Sequence, residues 1–319
     1  MSSLFMSVFG YVIFLILAGH FLPLLRGNMA VSIAAILTIL SLIVSIIITK
    51  GEPPLVRMTI IIVFQLLSMK ICVNVVTSSD QGTTLSFVQW LAFAAGWLGM
   101  RPVLFKKFPQ PPLPFQYFLV KGISRLTLGV VLLYVSRLAP LRNLFFLSDL
   151  VMLAGLSFIL HFGILNLSAG AWRMCGVPVS ELFPSPYLSR SLKEFWGRRW
   201  NVAFSEMRAL IVYRPLKARI GMRAAMATSF LFSGLLHEIA ISLPVRTGYG
   251  LPMLYFAIQA LLMQLEQQPR VKHIINRDGM RNAWVLGCLT VPLPLLFHPL
   301  FIDQVLAPMR TSILALLHL

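Results

Sequence analysis

The sequence predicts an all-α fold: a polytopic, membrane-embedded helical bundle of about nine transmembrane helices with interfacial amphipathic helices, forming a single membrane domain over residues 1–319. Three observations carry that prediction. The chain is 58% hydrophobic and only 12% charged, where a soluble domain has about 25% charged residues. Its mean hydropathy is +0.83, and apolar windows long enough to cross a bilayer recur along most of its length. Lysine and arginine gather in the short connections between those windows.

The windows lie near 4–24, 29–49, 58–78, 84–100, 117–136, 149–167, 223–243, 250–266 and 283–302. The run from Leu4 lacks a basic leader and a small-residue cleavage site, so it reads as a retained first span. After the second, fourth, sixth and eighth windows come Lys50 and Arg57, then Arg101, Lys106 and Lys107, then a long basic loop, then Arg270, Lys272, Arg277 and Arg281. The alternate connections hold only Arg26, Arg137 with Arg142, and Arg246. A cytoplasmic N-terminus, with the 168–222 loop also cytoplasmic, satisfies the positive-inside rule at each pair.

The net charge of +17 raises the question of nucleic acid. No reading motif accompanies it, and the loop placement suits anionic headgroups. Membrane lipids are therefore the expected partner and nucleic acid is not. Cys72, Cys175 and Cys288 are far apart and lack CxxC or Cys/His ligand spacing, so neither a disulfide framework nor a metal site is expected.

Residues 101–116 contain five prolines and read as an ordered basic loop, since proline removes a donor and restricts its neighbour. Lys121 and Arg125 follow at i,i+4, where they either snorkel to headgroups or meet a substrate phosphate. His20 reads as interfacial. Lys70 and Asn74 read as a mutual pair or as lining of a bundle interior. His161 and Asn166 read as packing polar residues.

The largest polar stretch, 168–222, is rich in basic residues. Ser191 and Glu194 have capping-box spacing. From there one helix is expected, with Trp196, Trp200, Ala203, Met207 and Leu210 as its apolar stripe and Glu194, Arg198, Asn201, Ser205 and Arg208 as its polar one. The next span carries His237 and Glu238 at membrane depth, about 22 Å along a helix begun at Met222. Polar groups there are expensive, which makes them functional candidates. Ser233 and Gly234 sit one turn back and leave room for a close approach by a chain or ligand. The His-Glu pair lacks the second histidine of a zinc-protease helix, since position 241 is isoleucine, so metal hydrolysis is rejected.

The runs SLKEFWGRRWN (191–201) and FLFSGLLHE (230–238), in this order and spacing, resemble the wax-synthase-like branch of the membrane-bound O-acyltransferases. GYGLPMLYFAIQ (248–259) and LFHPLF (296–301) extend the resemblance, which covers about 170–305. It implies acyl transfer from acyl-CoA, as co-substrate, to a hydrophobic alcohol acceptor, with no further cofactor. By motif position it makes His237 the intramembrane base and Asn201 its upstream partner. Trp196, Arg198, Arg199, Trp200, Ser233 and Glu238 are then expected to line the substrate site.

The chemistry is consistent with that implication. Neutral imidazole, titrating near about 6.5, suits removal of an alcohol proton. The Asn201 amide either donates to the thioester oxygen as it gains charge or orients the acceptor. Glu238 either orients the site or pairs with a base. The competing classes are a lipid or small-molecule transporter or flippase, against which no internal repeat is visible, and an idle membrane scaffold. Oligomeric state, acyl length and the nature of the alcohol are not written in the sequence.

Overall fold

The computed structural model describes residues 2–25, 27–138, 145–275 and 280–316. Arg26, Arg142 and Arg277, which enter the charge reading above, lie outside them. Among the described residues every regular element is helical. The chain divides into two units, residues 1–106 with 185–298, and residues 107–184 with 299–319.

The first unit opens with α1 (Ser2–Phe21), α2 (Asn28–Ile48), α3 (Pro54–Gln81) and the short α4 (Phe87–Gly96). Helices α1 and α2 turn Phe5, Phe9, Ile13, Ile36, Ile39 and Ile47 outward, an arrangement that only a lipid solvent tolerates over so large a surface. Helix α4 starts on a capping box made by Ser86 and Gln89. It is anchored by its indole: Trp90 is 1% exposed, and its Nε1 donates to the Ile16 carbonyl at 2.7 Å. At Gly19 a Cβ would lie 2.1 Å from the Trp90 ring, so only glycine lets α1 approach.

Lys70 and Asn74 do not pair. The Lys70 Nζ, fully buried, donates to the carbonyls of Phe93 at 2.8 Å and Gly99 at 3.0 Å, while Asn74 Nδ2 donates to Gly19 O at 3.2 Å. The lysine thus caps the C-terminal end of α4, where helix carbonyls lack partners. His20 packs edge-on against Phe21 and Phe87.

The second unit is built on α5 (Gln116–Val135), α6 (Phe145–Ser157) and α7 (Leu165–Met174), the last two joined through a π-helical turn, Phe158–Ile164. Lys121 is not free for a phosphate: its Nζ lies 2.7 Å from both carboxylate oxygens of Glu181. The proline-rich stretch within this unit is ordered as expected, through Leu113 N to Arg173 O at 2.9 Å and Arg173 Nε to Pro114 O at 2.6 Å. Asn166 Nδ2 bonds back to Phe162 O and His161 stacks near Phe183, so both are packing residues.

Among the described residues six helices are long and apolar enough to cross a membrane, or seven if Met280–Leu296 and Pro299–Leu316 are counted as one broken span. The expected count of nine is not confirmed. The 84–100 window yields only the ten residues of α4, because Trp97 and Arg101 turn extended on the way to Pro102. The 250–266 window yields a helix of 16 residues. Hydropathy measures apolarity, and a short helix buried among its neighbours is as apolar as one that spans.

Candidate active site

The site lies in the first unit, on α8 (Val202–Arg208), α9 (Arg214–His237) and α10 (Leu251–Glu266). The single amphipathic helix expected over 191–210 is broken. Residues Phe195–Arg199 form a π turn, Trp200 is extended at φ −103 and ψ 118, and Asn201 sits at φ 45 and ψ 65 in the left-handed region. Asparagine tolerates that conformation better than other residues with a side chain. Its Oδ1 then accepts from Phe204 N at 3.1 Å and starts α8 afresh. The break interrupts the apolar stripe, which a 3.6-residue period alone would have continued.

Upstream, half of the capping box forms. Ser191 Oγ accepts from Glu194 N at 3.0 Å, but the Glu194 carboxylate reaches Arg190 N instead of Ser191 N. Arg199 Nε meets Glu194 Oε1 at 2.6 Å. Burial alone would push the Glu194 carboxyl up, yet the Arg190 amide and Arg199 guanidinium outweigh it and hold it below the usual range. Arg198 is exposed. Trp200 stacks on Phe195 at 5.4 Å.

Trp196 turns inward. Its Nε1 donates to Gln259 Oε1 at 3.2 Å, and its ring meets Phe230 edge-on at 5.9 Å and Phe256 at 5.6 Å. The same Phe256 lies 4.4 Å from the His237 ring, and Phe204 approaches that imidazole edge-on at 6.3 Å. Trp196, Asn201 and His237 are thereby connected through two phenylalanines. Phe204, Phe256 and Gln259 escaped the sequence reading because single apolar or amide residues on apolar helices carry no signal. The spacing of Phe204, three after Asn201, is the one trace.

His237 Nδ1 lies 2.7 Å from the Ser233 carbonyl oxygen. A carbonyl only accepts, so Nδ1 carries the proton and Nε2 of the neutral ring holds the lone pair. Among the described residues Nε2 makes no hydrogen bond. The Ser233 hydroxyl is turned back to Ser229 O at 3.0 Å. The space expected beside Gly234 is filled by the chain itself: a Cβ there would stand 2.8 Å from Met253 Sδ and 3.1 Å from Met253 Cα. That glycine exists for the crossing of α9 and α10.

Glu238 departs from α9 and accepts from Gly250 N at 2.8 Å and Met253 N at 3.1 Å. It caps the N-terminus of α10, whose first amides would otherwise be orphaned. Gly248 and Gly250 shape this turn at φ 74 and φ 88, and the buried ring of His298 rests directly on Gly248.

Fold and site together define a helical integral membrane protein with a histidine set among aromatic rings in one of its spans. Residues 179–258, which hold every site residue named above except His298 and Gln259, match the membrane bound O-acyl transferase family. The chain is 38% identical over 125 residues to a long-chain-alcohol O-fatty-acyltransferase of Simmondsia chinensis, covering 36% of this chain and 35% of that protein. It is 28% identical over 151 residues to probable long-chain-alcohol O-fatty-acyltransferase 9 of Arabidopsis thaliana, covering 43% and 44%. Probable long-chain-alcohol O-fatty-acyltransferase 7 of the same plant is 26% identical over 155 residues, covering 44% and 46%. The chain thus spans less than half the length of these curated relatives.

Proposed function

We propose that the protein transfers an acyl group from acyl-CoA to a hydrophobic alcohol, with His237 as the general base. The observation that carries this reading is the Nδ1 bond to Ser233 O, which presents Nε2 as an acceptor within an aromatic, water-poor setting. As the alcohol oxygen attacks the thioester carbon, Nε2 takes its proton and Ser233 O stabilises the resulting imidazolium through Nδ1. The C–S bond then breaks, and the imidazolium returns the proton to the departing coenzyme A thiolate, leaving the ester and free coenzyme A. The likeness over 179–258 supports the same chemistry. Purified protein assayed against a panel of acyl-CoAs and alcohols, with esters identified by mass spectrometry, tests it. Absence of any ester across the panel would sink the reading.

Asn201 is the donor in this scheme. Its Oδ1 is committed to Phe204 N, which leaves both N–H groups of Nδ2 to bond the thioester oxygen as charge develops there. Asn201→Gly isolates that role, because glycine adopts the left-handed backbone and weakens a cap by only a few tenths of a kcal/mol. The expected result is a folded protein slowed about 10²-fold or more in kcat. Wild-type kcat in Asn201→Gly would reduce the residue to a cap.

The 168–222 segment faces the cytoplasm in this proposal, where acyl-CoA is found. With α4 too short to cross, the spans between residues 79–83 and that segment are, among the described residues, α5 and the helix Leu147–Met174. Single cysteines introduced at 79–83 and at 214–219 in a cysteine-free background should therefore react with a membrane-impermeant maleimide from the same side. Reaction from opposite sides would overturn the orientation.

A further inference from the structure

We infer that Arg208 binds a phosphate group within this same site, an assignment that rests on the acyl-transfer reading of His237. Helix α8 presents Phe204 and Arg208 at i,i+4 on one face. Phe204 meets His237, and the Arg208 guanidinium lies 4.8 Å above the Phe230 ring. Phe230 and His237, seven residues apart, share one face of α9 and are separated by about 10 Å of helix rise. The half-buried Arg208 thus stands two turns from the imidazole, beside the aromatic cluster that holds it.

The carboxylates of this region are all engaged elsewhere. Between residues 192 and 266 the acids are Glu194, Glu206, Glu238 and Glu266. Glu194 pairs with Arg199, and Glu206 with Arg101 at 2.6 Å. Glu238 caps α10, and Glu266 accepts from Leu192 N at 2.9 Å. Among the described residues Arg208 has the Phe230 ring and no hydrogen bond or ion pair. A partly desolvated guanidinium without an anion is costly, and its planar fork matches a phosphate in two-point contact. Among the described residues no carboxylate answers Arg208, and a bound phosphate would supply that counter-charge. Arg214, Lys217, Arg219 and Arg223, exposed on the next helical stretch, would draw a polyanion toward this end of the site.

Two molecules carry that group here, the coenzyme A portion of the acyl donor and an anionic phospholipid. Full-length protein in phospholipid-free detergent is titrated calorimetrically with coenzyme A, and protein in nanodiscs of phosphatidylcholine with or without phosphatidylglycerol is followed by thermal unfolding. We expect Arg208→Gln to weaken coenzyme A binding about 10-fold or more, the range of one charged hydrogen bond. His237→Ala should keep that affinity while losing turnover, so a failure of the base assignment shows itself separately. Loss of phosphatidylglycerol stabilisation with unchanged coenzyme A affinity would assign the phosphate to the lipid. Phenylglyoxal labelling of wild-type protein, read by mass spectrometry, needs no variant: the bound phosphate should shield Arg208. Unchanged binding of both ligands in folded Arg208→Gln, or no shielding of Arg208 by either ligand, overturns the inference.

Discussion

His237→Ala should lose ester formation by about 10²–10⁴-fold in kcat, the usual worth of a general base, while remaining folded and inserted. The structural cost is small. The variant forfeits one side-chain bond to Ser233 O, worth about 0.5–1.5 kcal/mol, plus ring contacts with Phe204 and Phe256. Activity is therefore normalised to monodisperse protein eluting in detergent. A merely structural histidine predicts the opposite pattern, with low yield and undiminished specific activity in the surviving protein. Near-wild-type specific activity in His237→Ala would remove the mechanism proposed here.

Gly248→Ala should be the most destabilising small substitution near the site. Its backbone, at φ 74, disfavours any side chain, at about 1–2 kcal/mol. A Cβ would also stand 2.4, 2.5 and 2.8 Å from Nε2, Cδ2 and Cε1 of His298. That ring is 3% exposed and has no solvent to swing into, so overpacking adds about 1–3 kcal/mol. Gly250→Ala separates the two contributions: its φ of 88 is as unfavourable, but nothing lies within 4 Å of its Cβ position. Thermal unfolding in detergent should therefore place Gly248→Ala clearly below Gly250→Ala, and both below wild type. Equal midpoints for the two variants would show that His298 yields.

Composition and charge spacing by themselves determined that this is a helical membrane protein, and the cost of polar groups at membrane depth pointed to His237. Those are properties of single residues and local periods, so they are legible in one dimension. What only the tertiary structure decided depends on which helices meet. Hydropathy does not distinguish a span from a buried short helix: α4 is only ten residues long and is tied to its neighbours by Trp90 and Lys70. Glu238 looked like a neighbour of the imidazole because it adjoins it in sequence. Its carboxylate instead caps α10 twelve residues on, since successive side chains on a helix point about 100° apart. Trp196 and His237, 41 positions apart, meet through Phe256 of a third helix, a contact set by the close crossing at Gly234 and Met253 and by no local pattern.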